Sequence, residues 1–248
     1  MRQRIQKIKP ASGVSHLLHL GLVLILPIGV FILVRLQFDS LAFALVILSK
    51  WRMFAVRPRF WAANIRANSI DLMVGLSTVV FITQADSLWN QLLWVAGYAT
   101  WLLVIKPGKS IPMVTFQAFI GQLTSLSALY LWSDGPTWAL TFFTGLFCFL
   151  AARHFLDTFD EPYAKMLAYI WGYFGAALAW LLSHWLLYYQ GVAQVTLLLS
   201  TLGYGMAVLY YLDHNDRLSK GVRRQFIFIM LAIVVVVLAF SDWGDKVV

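Results

Sequence analysis

The feature that most constrains this chain is a succession of apolar runs, from Val14 to Phe240, parted by short clusters of Lys and Arg. An α-helix rises about 1.5 Å per residue, so roughly 20 apolar residues cross the hydrocarbon of a bilayer. Spans are expected near 14–34, 41–56, 70–85, 87–105, 111–132, 137–152, 166–189, 192–212 and 226–240. The connections are short and carry turn and helix-stop residues: Asp39-Ser40, Pro107-Gly108, Ser133-Asp134-Gly135-Pro136 and Gln190-Gly191. The expected fold is an all-α polytopic membrane bundle, a single transmembrane domain over 1–248 with nine helices crossing.

Composition agrees with that pattern. Only 12% of the residues are charged, against about 25% in a soluble domain. No loop is long enough for a soluble domain, so any chemistry belongs at the membrane surface or within it.

Charge tests the parse. If the spans alternate from a cytoplasmic N-terminus, 17 of the 19 basic residues fall inside, and only Arg35 and Lys246 fall outside. The inside set runs from Arg2, Arg4, Lys7 and Lys9 through Lys106, Lys109, Arg153 and Lys165 to Arg224. Such a split is hard to obtain from wrong spans. It places the C-terminus extracytoplasmic, in the cell membrane of a bacterial-type cell.

The second span is the weakest. Its uncharged run, Leu41–Ser49, covers only about 14 Å as a helix. Either the helix continues through Trp51, Met53 and Phe54 while Lys50 and Arg52 snorkel, or the first two segments form a re-entrant hairpin. The short true span is the expectation. Ala42-Phe43-Ala44 resembles a signal-peptide cleavage site, but the preceding apolar stretch is too long and Arg35 precedes the site, so no cleavage is expected.

Several activities are excluded. The net charge of +8 lies in clusters between apolar runs, not on one basic surface, which argues against nucleic acid. Gly108-Lys109-Ser110 lacks the glycine five residues earlier that a phosphate loop needs, because position 103 is Leu. Cys148 is the sole cysteine, which rules out an internal disulfide and any multi-thiolate metal site; packing is its expected role. Asn68-Ser69-Ile70-Asp71 holds one acid in a basic surrounding, where intramembrane prenyltransferases carry a dense acidic cluster.

Three groups of polar residues and one of small residues remain as candidates. Lys50, Arg52, Arg57, Arg59 and Arg66, interleaved with aromatics, suit anionic lipid headgroups at the cytoplasmic face. His154, Asp157 and Glu161 share a helical face, and with Asp213 and Asp216 of the next cytoplasmic loop they have the donor chemistry of a divalent-cation site. The competing account is that these residues cap helices and form turns. Asp71, Gln117 and Thr124 are candidates for a solute path, since an acid in a membrane helix is a default candidate for ion coupling.

The fourth group is made of small residues. Gly172, Gly175, Ala176, Ala179 and Ser183 line one face of the seventh span, which suits close helix packing, whereas Leu178 and Leu182 are expected off that face.

No motif names a reaction. Three readings stand: a non-catalytic membrane scaffold or complex subunit, possessing a membrane-protein partner or a second copy of itself; a small-solute transporter or channel; and a metal-dependent enzyme acting on a lipid or diphosphate. The first is favoured, because each polar cluster has a structural explanation. No cofactor is expected beyond the divalent cation that the third reading requires.

Overall fold

The computed structural model describes residues 14–131, 135–159, 161–184, 188–189 and 192–241. Arg2, Arg4, Lys7, Lys9, Ser133, Asp134, Gln190, Gly191 and Lys246, all used in reading the sequence, lie outside them.

The fold is all-helical, with ten α-helices among the described residues. They are α1 (Val14–Arg35), α2 (Asp39–Leu48), α3 (Trp61–Ala67), α4 (Ser69–Thr83), α5 (Leu88–Thr100), α6 (Ile111–Leu131), α7 (Thr137–Leu156), α8 (Ala164–Leu182), α9 (Gln194–His214) and α10 (Lys220–Phe240). A π-helical turn, Trp101–Ile105, extends α5.

Five helices are long and apolar enough to cross a membrane: Leu88–Ile105, α7, α8, α9 and α10. A sixth crossing exists if Pro58–Ala67 and α4, bent by 65° at their junction, count as one broken span. Two further apolar helices are shorter, Leu20–Arg35 within α1 and α2 itself. α6 has the length, but Gln117, Gln122, Thr115, Thr124, Ser125 and Ser127 dilute its apolarity.

The second segment differs from expectation. α2 stops at Leu48, about 15 Å from its start, and a 3₁₀ turn at Trp51–Met53 follows. Lys50 therefore leaves the helix and does not snorkel along it. α1 and α2 pack as a hairpin. Their reversal is a Schellman motif: Phe38 N–H donates to Leu33 and Gln37 N–H to Val34, with Gln37 left-handed at φ 61°.

The expected seventh span also shortens, and the eighth shifts by two residues to Gln194–His214. Tyr188–Tyr189 (β1) and Val192–Ala193 (β2) pair as a small antiparallel hairpin between α8 and α9, where strand-favouring side chains prevail over helix. Conversely α7 runs on to Leu156, carrying His154 within the helix.

α6 sits at the centre, packed on α4, α7 and α9, and the broadest helix contact joins α7 to α8. Small residues explain that contact. A Cβ added to Gly172 would lie 2.9 Å from the Gly145 carbonyl oxygen, and one on Gly175 would lie 2.7 Å from Cys148 Sγ. Cys148 is wholly buried there, as a packing residue. Leu182, expected off the packing face, is buried on it: the face repeats as Gly172, Gly175, Ala179 and Leu182, at helical spacing.

The surface is inverted relative to a soluble protein. Trp89, Tyr173, Phe228 and Phe240 are each more than 70% exposed, while Asp71, Gln117, Gln122, Gln194 and Thr115 are buried. Hydrocarbon outside and hydrogen-bonded polar groups inside is the arrangement a lipid solvent rewards.

Candidate functional site

One end of the bundle gathers most of the buried charge. Asp71 is the third residue of α4, whose first turn favours an acid through the helix dipole. Its side chain is only 8% exposed. Trp101 Nε1 donates to Oδ1 at 3.0 Å, and Lys106 Nζ donates to Oδ2 at 2.5 Å. Lys50 Nζ pairs with the same Oδ2. The broken α2 delivers Lys50, and the π turn after α5 delivers both Trp101 and Lys106. A single acid thus ties three separate chain segments together.

Hydrogen bonds continue from there to α6 and α7. The end of the π turn leaves carbonyls without helical partners, and Gln117 Nε2 donates to those of Ile105 (2.7 Å) and Gly108 (2.9 Å). Its amide nitrogen being so committed, Gln117 Oε1 accepts from His154 Nε2 at 3.1 Å, which places the imidazole proton on Nε2. Beside His154, Arg153 pairs with Asp157 at 2.7 Å, and Arg66 of α3 approaches Asp157 at 3.9 Å.

The acid-rich loops are arranged differently. Glu161 accepts from Tyr210 Oη at 2.5 Å and from the Tyr163 amide at 3.3 Å. These two donors, the tyrosine first, hold its carboxyl below the ordinary glutamate range. Asp213 faces Arg223 at 3.7 Å on the exposed surface. Asp216 is left-handed at φ 55° and ends α9 in a second Schellman motif, with Arg217 N–H donating to Leu212 and Asp216 N–H to Asp213.

Each of the five residues read as a divalent-cation set has another role in the structure. His154 turns to Gln117, Asp157 to two arginines, Glu161 to two tyrosines, Asp213 to Arg223, and Asp216 shapes a turn. Among the described residues no three His, Cys, Asp or Glu side chains gather as a cation site.

The solute-path residues divide likewise. Asp71 and Gln117 belong to one polar network, but Thr124 bonds back to the Ile120 carbonyl of its own helix at 2.7 Å. Of the headgroup set, Lys50 is drawn inward and Arg66 turns to Asp157, while Arg52, Arg57 and Arg59 are exposed. The sequence reading missed Lys106, Trp101 and Arg153 as partners. The signal for them was the buried acid itself, which needs cations brought from elsewhere in the chain.

A separate apolar groove of about 470 Å³ lies between α8 and α9, floored by Ala118 of α6 and Phe155 of α7. Gln122 stands in its wall, accepting from Trp171 Nε1 at 3.0 Å and donating to the Leu199 carbonyl at 2.9 Å.

Fold and site together define an all-helical protein with several apolar helices fit to cross a membrane, locked at one end by a buried charge cluster. No family model matches the chain, and neither a curated protein nor a solved structure is significantly similar to it.

Proposed function

We propose that this chain is a nine-span protein of a bacterial-type cell membrane, N-terminus cytoplasmic, and that it serves as a non-catalytic scaffold or subunit of a membrane complex. The observation carrying this reading is the way the histidine and most of the acids at the bundle end are already committed. His154, Asp157, Glu161 and Asp213 each hold a protein partner, and Asp71 is enclosed by two lysines and a tryptophan. Among the described residues no three of the acids and histidines gather as an open ligand set.

The nine crossings rest on the charge pattern. They require α1, α2, α4 and α6 to cross beside the five longer helices, the bilayer thinning locally around the short α2. Exposed Arg52, Arg57 and Arg59 then lie among anionic headgroups, each contributing about 1 kcal/mol near the surface.

Two measurements test the reading. Reporter fusions after Asp86, Gly135 and Val248 should read extracytoplasmic, and those after Lys109, Asp160 and Ser219 cytoplasmic. Neighbouring loops reporting the same side would remove a span. Magnesium or manganese should leave the melting temperature of the purified protein unchanged. A metal-dependent rise that Asp157→Asn with Asp216→Asn abolishes would replace the scaffold by the metal-dependent enzyme.

A further inference from the structure

We propose that the Lys50–Lys106 pair at Asp71 is a binding site for a phosphate-bearing anion. Both ammonium groups contact one and the same carboxylate oxygen, Asp71 Oδ2. One carboxylate neutralises one of them and leaves a full positive charge over. The two cations are also held side by side, where their repulsion is weakly screened because Lys50 is 10% and Asp71 8% exposed at the side chain. The neighbouring group repeats the imbalance, with Arg66 and Arg153 sharing the single acid Asp157.

Donors are in excess as well as charge. An ammonium carries three N–H groups, and among the described residues Asp71 is the one acceptor for each of these lysines. Tyr98 adds a further unspent group. Its hydroxyl, in a side chain 2% exposed, has no partner among the described residues and lies against Gly75, one helical turn beyond Asp71 on α4.

The cluster is reachable. The Lys106 side chain is 39% exposed, so an anion can approach from the bundle end while Lys50 and Asp71 stay covered. A phosphate group supplies what is lacking: negative charge on several acceptor oxygens, at the depth where lysine acts as a point-charge ligand. Its source is either a lipid headgroup or free phosphate. The proposal shares with the scaffold reading only the placement of this end among cytoplasmic headgroups, and the site itself stands without that placement.

The experiment follows the melting temperature of the full-length protein in neutral detergent during titration with sodium phosphate, against sodium chloride of equal ionic strength. Phosphate should raise it by a few degrees, and Lys106→Gln should remove the rise while Arg57→Gln keeps it. A second arm compares nanodiscs of phosphatidylglycerol with nanodiscs of phosphatidylcholine. A rise in phosphatidylglycerol that Lys106→Gln abolishes identifies the headgroup as the source. A phosphate-dependent rise of equal size in both lipids identifies free phosphate. In chloride alone, Lys106→Gln should be at least as stable as the wild type, because the Lys50–Asp71 pair remains and the repulsion is gone. Three results would overturn the proposal: no response to phosphate or phosphatidylglycerol beyond chloride, an unchanged response in Lys106→Gln, or a Lys106→Gln protein less stable than wild type in chloride. Loss of the lipid response in Arg57→Gln but not in Lys106→Gln would leave headgroup anchoring by the loop intact and remove this site alone.

Discussion

Two groups of ionisable residues stand at the same end of the bundle and are built on opposite plans. The Asp71 cluster has one acid, buried, joined to cations that arrive from two other segments of chain. The loops after α7 and α9 have several acids, largely local in their bonding: Asp157 to Arg153 four residues before it, Glu161 to the nearby Tyr163 amide as well as to Tyr210, Asp216 to its own turn. The first arrangement joins distant elements in a low dielectric, where each missing partner leaves a charge exposed to that medium. The second trims helix ends in contact with water, where solvent replaces a lost partner. Crowding of acids along a sequence thus says little about where charge matters most.

Substitutions sharpen the contrast. Asp71→Ala strands two ammonium groups and should cost about 3–5 kcal/mol, the penalty for breaking a buried pair, read as a fall in detergent melting temperature. Gly175→Leu comes next. A side chain driven against Cys148 should cost about 1–3 kcal/mol of overpacking, while Leu181→Ala on the exposed side of α8 should change the melting temperature little. Arg223→Gln, at a pair whose side chains are 58% and 69% exposed, should cost less than about 1 kcal/mol and become neutral in high salt.

The smallest effect is one of pH. Glu161 has a folded-state pKa below its unfolded value, so its contribution is full at neutral pH and is lost as pH falls through that lowered value, beneath the ordinary glutamate range. Glu161→Gln should flatten the acid limb of the stability profile there. An unchanged limb would show that Tyr210 and Tyr163 do not stabilise the charged form.

The legible part of this fold is the part set by runs of like residues. Apolar stretches located α5 with its π turn, α6 and α9 within two residues, while α8 ends seven residues before its expected end and α10 starts six before its expected start; the small face of α8 announced its packing on α7. Breaks were harder to read. The stop at Leu48 was only half legible: the uncharged run ends at Ser49, but Trp51, Met53 and Phe54 let the helix be read on past it, and the stop becomes intelligible once Lys50 is seen to be drawn to Asp71. The strand pair at Tyr188–Tyr189 and Val192–Ala193 was hidden in the same way, inside an apolar stretch that suits either structure. At the site, Asp71 and Gln117 were visible as polar residues in membrane helices. Lys106 and Arg153 were counted only as topological anchors, since pairing between segments dozens of residues apart leaves no spacing to detect.

The central claim is that Asp71 acts as a structural lock on Lys50 and Lys106, and a double-mutant cycle between Lys50→Met and Asp71→Asn tests it most directly. Stability of the four proteins would be measured in one detergent under reversible denaturation. The lock predicts strong non-additivity: Asp71→Asn alone is costly because it strands two ammonium groups, Lys50→Met alone leaves the acid paired with Lys106, and the double variant loses less than the sum of the two by roughly 1 kcal/mol or more. A coupling energy of zero, with the two costs simply adding, would mean that the pair contributes nothing as a pair and would contradict the account.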